Sequence, residues 1–180
     1  GFKPVAIDLA QPMVAQAARF ADRMAIPCPL GVGDATDLPF LENSFSGILF
    51  SYNGIELVPK ESGKISALTE AWRVLRPGGR AVFFEPLGHN PCINLYRRLT
   101  PAMRSADEHP LCMTDVEQIA RSFDTAQSSF FGLFTLLAAP LRPRPDSGLL
   151  RRLEAIDRVV LRRGWLQRYA WIVVTELTRS

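Results

Sequence analysis

Apolar and polar positions change their period repeatedly along this 180-residue chain, and each change marks a new element. Residues 4–9 form a short apolar run closed by Asp8, the pattern of a buried parallel strand. Pro12 suits the first turn of a helix. Met13, Val14, Ala17, Ala18, Phe20 and Ala21 then recur at near-helical spacing to about Met24. Pro27 and Pro29 end that helix, Leu30 to Val32 make a second short strand, and the sequence GDATDLPF (residues 33–40) leaves it as a loop. Residues 46–51 (SGILFS) predict a third strand, fed by a turn at Glu42-Asn43-Ser44.

A helix is predicted over residues 62–75, with Ile65, Leu68, Trp72 and Leu75 as its apolar stripe, and Pro77-Gly78-Gly79 stops it. Residues 80–85 (RAVFFE) form the next strand. Residues 86–113 are rich in proline and polar groups, with one helical patch at 93–99, which is long for a plain connection and predicts a lid or substrate-binding insertion. Thr114 to Glu117 has the form of a capping box opening a helix to about Phe123. A strand begins at Ala126, residues 141–148 form a loop, and Leu149, Leu150, Leu153, Ile156, Val159 and Val160 outline an amphipathic helix. Residues 169–177 (YAWIVVTEL) close the chain as a β-branched strand.

Strands alternating with helices imply an α/β domain with a parallel sheet covered on both faces. The exception is the end, where two strands follow without a standard crossover, so the last is expected to run antiparallel. We read residues 1–180 as one domain, with a ligand-binding half at 1–85, the insertion at 86–113, and a C-terminal half at 114–180. With 47% hydrophobic residues the chain can bury a full core. No stretch approaches the ~20 apolar residues that cross a membrane. Three widely spaced cysteines, Cys28, Cys92 and Cys112, suit a reducing cytoplasm, and neither they nor His89 and His109 have metal-site spacing.

Charge changes the picture in one place. Residues 142–180 carry nine arginines against four acids, while residues 1–141 carry 12 basic and 14 acidic side chains. The helix from 149 to 163 holds Arg151, Arg152, Arg158, Arg162 and Arg163 around an apolar face. That pattern suits either a helix packed on its own domain or peripheral contact with an anionic membrane; no nucleic-acid partner is expected. Phe130, Phe131, Phe134, Leu136 and Leu137 raise the prospect of a lipophilic pocket.

Asp8 closes its strand at the carboxyl edge, where open α/β sheets bind ligands. A carboxylate there can accept hydrogen bonds from both ribose hydroxyls, or it can cap the following helix. Asp34 can accept from an exocyclic adenine amine while the Ala35 N–H donates to the ring, or it can cap a tight loop.

Taken in order, VAIDLAQPM, GDATDLPF, SFSGILFSYNGIELVP and LTEAWRVLRPGGRAVFFEP resemble the class I S-adenosylmethionine-dependent methyltransferases of the type 11, UbiE-like kind, over about residues 1–90. The resemblance implies a Rossmann-like, doubly wound sheet with S-adenosyl-L-methionine as cofactor. Asp8 then matches the ribose-binding acid with Leu9 and Met13 beside the adenosine, and Asp34 and Ala35 match the adenine-reading pair. Ser51, Tyr52 and Asn53 match the segment that passes the methionine part, and LRPGG is a structural turn. Two departures stand out. The family's first strand and glycine-rich loop, expected before Asp8, are missing from this chain, and Glu56 and Leu57 replace a His-His pair common in relatives.

The implied reaction displaces a methyl from a sulfonium onto a small-molecule or lipid-like acceptor. A general base is needed only where the nucleophile arrives protonated. Glu85, His89 and Tyr52 are the candidates, with Glu56 behind them; each also has a structural reading, Glu85 as a strand-end acid holding nearby N–H groups. His109 is expected to be structural, and Arg97 and Arg98 are either exposed charges or contacts for an anionic group. Two other readings stay open: a nicotinamide-dependent oxidoreductase, whose ribose Asp8 would also suit, and a non-catalytic binding module on a methyltransferase-like frame.

Overall fold

A computed structural model describes residues 3–51, 54–100, 110–141 and 143–180. Its order is β1 (Ala6–Asp8), α1 (Gln11–Arg23), β2 (Leu30–Val32), β3 (Phe45–Ser51), α2 (Glu61–Val74), β4 (Leu75–Pro86), α3 (Pro91–Leu99), α4 (Met113–Arg121), β5 (Thr125–Phe131), a 3-10 helix (Thr135–Leu141), α5 (Gly148–Val160), α6 (Gly164–Gln167) and β6 (Ile172–Thr178). Every strand and helix expected from the pattern is present, with ends shifted by a few residues.

The strands lie in two sheets. β1 and β2 pair in parallel, Asp8 beside Val32, and a second sheet has the order β3-β4-β6-β5. β3 and β4 are parallel, and β6 runs antiparallel to both β4 and β5. The sheet is therefore mostly parallel with an antiparallel final strand, as expected, but it is split between β1 and β3. Among the described residues no strand joins the two pieces; β1 is largely exposed and α1 buries none of its residues. The expectation of a buried first strand fails for that reason: an apolar run is buried only if another layer covers it.

The core lies on one face of the larger sheet, beneath α2 and α4. Ala81 and Phe83 of β4, Val173 and Leu177 of β6, Ala67, Leu68, Ala71 and Leu75 at α2, and Val116 and Ile119 of α4 close on one another. Phe50 of β3 stacks on Phe83, ring centroids 4.6 Å apart. Strand alternation sets this face: along β4, Ala81, Phe83 and Glu85 point one way and are buried, while Val82 and Phe84 are only half-buried.

Three local expectations are corrected. In α2 the buried stripe is Ala67, Leu68, Ala71 and Val74, rotated from the larger residues, so Ile65 and Trp72 are exposed. Trp72 instead receives the Arg179 guanidinium 3.7 Å above its ring, and that guanidinium donates to the carbonyls of Trp72, Arg73 and Leu75 at the helix end. The LRPGG segment is part of β4, with a register jump against β3. Gly78 takes φ of +75°, where glycine is strongly favoured, and a Cβ on Gly79 would sit 2.8 Å from the Arg76 carbonyl oxygen. The capping box of α4 lies two residues earlier than expected: the Cys112 N–H donates to Asp115 at 2.7 Å.

One clasp in α2 reaches a distant loop. Glu70 pairs with Arg73 at 2.7 Å and accepts from the Leu38 N–H at 2.8 Å, while Arg73 donates to the carbonyls of Phe40 and Leu38. The paired guanidinium holds the Glu70 carboxyl below the usual carboxylate range. The helix motif thereby fastens the end of the GDATDLPF loop. Arg73→Ala should lower the urea midpoint clearly, because two carbonyls and a carboxylate lose a charged donor. A midpoint no lower than that of an exposed control such as Arg121→Ala would show that the clasp is only a surface ion pair.

Candidate active site

Asp8 and Asp34 come together at one sheet edge. Asp8 ends β1, Asp34 follows β2, and the Gly33 N–H donates to the Asp8 carbonyl at 3.1 Å. Asp8 Oδ1 accepts from the Ala10 N–H at 2.7 Å, so one carboxylate oxygen orders the entry into α1. Asp34 Oδ1 accepts from the backbone N–H and the hydroxyl of Thr36, both at 2.8 Å. Those two bonds hold the Asp34 carboxyl below its ordinary range and keep it ionised. Both acids thus fill the capping roles weighed from sequence, and each does so through Oδ1, which leaves Oδ2 for a ligand. Ala35 is half-buried, while Leu9 and Met13 are exposed beside Asp8.

Ser51 ends β3 and is exposed. Tyr52 and Asn53 lie outside the described residues, as does His109. The chain resumes at Gly54, where a Cβ would stand 3.0 Å from the Phe50 ring and 3.6 Å from Glu85 Oε1. That glycine was not singled out from sequence, yet its place against Phe50 and Glu85 would crowd a side chain.

Glu85, near the carboxyl end of β4 in the larger sheet, is a buried acid, 1% exposed. Its Oε1 accepts from the Ile55 N–H at 2.9 Å, and its Oε2 is buried with no hydrogen-bond partner among the described residues. Burial pushes its carboxyl up to about 7; the N–H groups of Ile55, Glu56 and Gly54 oppose the shift, and the nearby Glu56 charge adds to it. Glu56 is itself 2% exposed, so two acids enter the site edge together. His89 is half-buried in the loop after β4. This loop is pinned where the Gly88 N–H donates to the Leu111 carbonyl and the Leu111 N–H donates to the Pro86 carbonyl. No hydrogen bond joins His89 to Glu85 among the described residues.

Asp8 and Asp34 therefore mark the carboxyl edge of the smaller sheet, and Ser51, Glu85 and His89 lie at or beyond the carboxyl ends of β3 and β4 in the larger one. The carboxyl ends of the strands, where these acids and their exposed apolar neighbours lie, are where open α/β sheets of the Rossmann-like class take ligands. Known proteins narrow that class. The family described as "Methyltransferase domain" matches residues 1–79. The ubiquinone/menaquinone biosynthesis C-methyltransferase UbiE of Dinoroseobacter shibae is 39% identical over 85 residues, covering 45% of this chain and 32% of that protein. A demethylmenaquinone methyltransferase of Mycobacterium sp. is 32% identical over 142 residues, 77% of this chain and 50% of that protein. The chain thus spans a third to a half of the length of these curated relatives. In fold it is similar to a SAM-dependent methyltransferase from Thermotoga maritima, with TM-score 0.66 and 17% identity over 98% of this chain and 73% of that one. Residues 1–79 match that methyltransferase-domain family, and the relatives and the fold together support a class I S-adenosylmethionine-dependent methyltransferase, a family whose cofactor is S-adenosyl-L-methionine.

Proposed function

We propose that this protein transfers a methyl group from S-adenosylmethionine to a small, lipid-like acceptor. The observation that carries the reading is the placement of Asp8 at the end of β1 and of Asp34 just past the end of the adjacent parallel β2, each with one carboxylate oxygen committed to a nearby backbone N–H and the other offered to a ligand. The donor set fits the cofactor: a strand-end acid suits a ribose diol, an ionised acid suits an exocyclic adenine amine, and Leu9 and Met13 offer apolar surface to a purine. When bound, the sulfonium supplies an already activated methyl, so the protein's part is alignment and exclusion of water. Asp8 and Asp34 would hold the nucleoside, and the 51–54 segment would pass its methionyl side. Glu85, His89 and Tyr52 are the groups proposed to accept a proton where the acceptor arrives protonated. Relatives named as quinone C-methyltransferases support a lipophilic acceptor, and the basic α5 region supports a peripheral approach to a membrane.

Calorimetric titration with S-adenosylhomocysteine tests the reading, with NAD run in parallel. Asp34→Ala should weaken S-adenosylhomocysteine binding by about tenfold or more, the loss of one charge-assisted hydrogen bond. Binding of NAD in place of S-adenosylhomocysteine would overturn the cofactor assignment. An unchanged affinity in Asp34→Ala would reduce the loop to a structural turn.

A further inference from the structure

The segment between β5 and β6 hangs from the same sheet edge as the candidate site. Phe131 at the end of β5 pairs with Ile172, and Ile172 also pairs with Pro86, one residue beyond Glu85. Residues 132–171 therefore emerge beside the carboxyl ends of β3 and β4. Their inner side is firmly attached. Asp157 of α5 is buried and accepts from the N–H groups of Leu133, Phe134 and Thr135 and from the Thr135 hydroxyl, and Leu161 packs into the core.

The outer side of α5 is unlike an ordinary solvated face. Leu149, Arg152, Ile156 and Val159 follow one another at helical spacing along a single exposed stripe, with Val159 63% exposed, and the exposed Arg163 stands just beyond the helix end. Trp165, 70% exposed, continues it into α6. Arg151, Arg158 and Arg162 flank the stripe, and among the described residues none of these arginines is ion-paired with a carboxylate. Residues 132–171 hold eight arginines, three acids and no lysine, and one of the acids is the buried Asp157. α3 repeats the pattern on the same rim: Leu95, Tyr96 and Leu99 are exposed beside Arg98. Asn90, which caps α3, donates to the Tyr169 carbonyl at 2.6 Å and ties the two rims together.

We infer that this rim, α3 together with the 132–171 segment, docks on an anionic phospholipid surface. Arginines in line with Leu, Ile, Val and Trp suit the headgroup boundary, where the guanidinium reaches phosphate while the apolar side chains enter the acyl region. A nucleic-acid partner would use the arginines but leave the exposed Val159, Trp165 and Leu99 in water. The inference rests on the lipid-like acceptor reading only in its consequence, that such an acceptor would reach the sheet edge from the bilayer side; docking itself needs no methyl transfer.

The test is co-sedimentation of the protein with vesicles of phosphatidylcholine containing about 30% phosphatidylglycerol, with pure phosphatidylcholine as control. Strong binding to the anionic vesicles is expected at low salt, falling at least fivefold in about 0.5 M salt, where screening is nearly complete. Trp165 emission should shift to the blue on binding. The double variants Arg152→Glu with Arg163→Glu, and Val159→Ser with Trp165→Ser, each alter only exposed side chains and should each weaken binding at least fivefold. Absence of binding at low salt, or unchanged binding in either double variant, would overturn the proposal. So would a DNA duplex binding as tightly as vesicles and indifferent to Val159→Ser with Trp165→Ser, or a dimer that this variant dissociates. Binding of S-adenosylhomocysteine, measured separately, keeps failure of the methyltransferase reading distinct from failure of docking.

Discussion

Replacing Glu85 with glutamine should stabilise the protein above neutral pH. In the fold the Glu85 carboxyl is pushed up to about 7 from its ordinary value of 4.5, chiefly by burial. An acid whose folded pKa is raised binds its proton more tightly folded than unfolded. Its stabilising contribution is complete below the unfolded pKa and is lost as pH rises through the interval from 4.5 to about 7. The full shift corresponds to about 3 kcal/mol. Glutamine keeps a carbonyl oxygen for the Ile55 N–H while removing the charge from the buried, unpartnered side. Urea titrations of both proteins should show a gap below about 1 kcal/mol at pH 5 that widens to about 3 kcal/mol at pH 8. A gap independent of pH would mean that Glu85 is not the group titrating there.

Asp157→Ala should be among the most damaging single substitutions, at about 3–5 kcal/mol. It strips the acceptor from three backbone N–H groups and one hydroxyl that the fold holds against a buried position. Each orphaned buried donor costs about 1 kcal/mol or more, and partial rearrangement keeps the total below a simple sum. Asparagine, with a single acceptor oxygen, should lose roughly half as much. Hydrogen exchange should localise the damage to residues 132–135 and α5, with β3 and β4 protected as before. Uniform loss of protection across the core would contradict a local role for this carboxylate.

Both groups illustrate what kind of information a sequence carries. Glu85 was readable as a strand-end acid able to hold neighbouring N–H groups, and the alternation of RAVFFE places it on the face of Ala81 and Phe83. Its burial against Glu56 was not readable, because Glu56 approaches through a loop whose path depends on Gly54 and Phe50. Nothing in its spacing sets Asp157 apart from the other polar residues of a basic helix. Only the return of residues 133–135 over α5 turns it into an acceptor for four donors.

The stripe on α5 makes the same point in reverse. Leu149, Ile156 and Val159 belong to an apolar stripe that by period alone suits either packing on the domain or contact with a membrane, and the anchoring of Asp157 and Leu161 turns them outward. Periodicity shows that a helix has an apolar stripe; it does not say which neighbour, if any, will cover it. Trp72 and Ile65 of α2 were displaced from the core in the same way by smaller alanines that allow closer packing on β4.

By itself, the sequence determined the alternation of strands and helices, the antiparallel final strand, and the two strand-end acids at Asp8 and Asp34. Those features follow from side-chain period, proline and glycine punctuation, and residue chemistry, which act over a few neighbouring positions. The tertiary structure alone decided the split between the two sheets, the burial of Glu85 with Glu56, and the Glu70–Arg73 clasp on the loop. It alone decided, too, which face of α5 meets the outside. Burial and pairing between residues far apart in the chain are properties of the packed whole, and no local period encodes them.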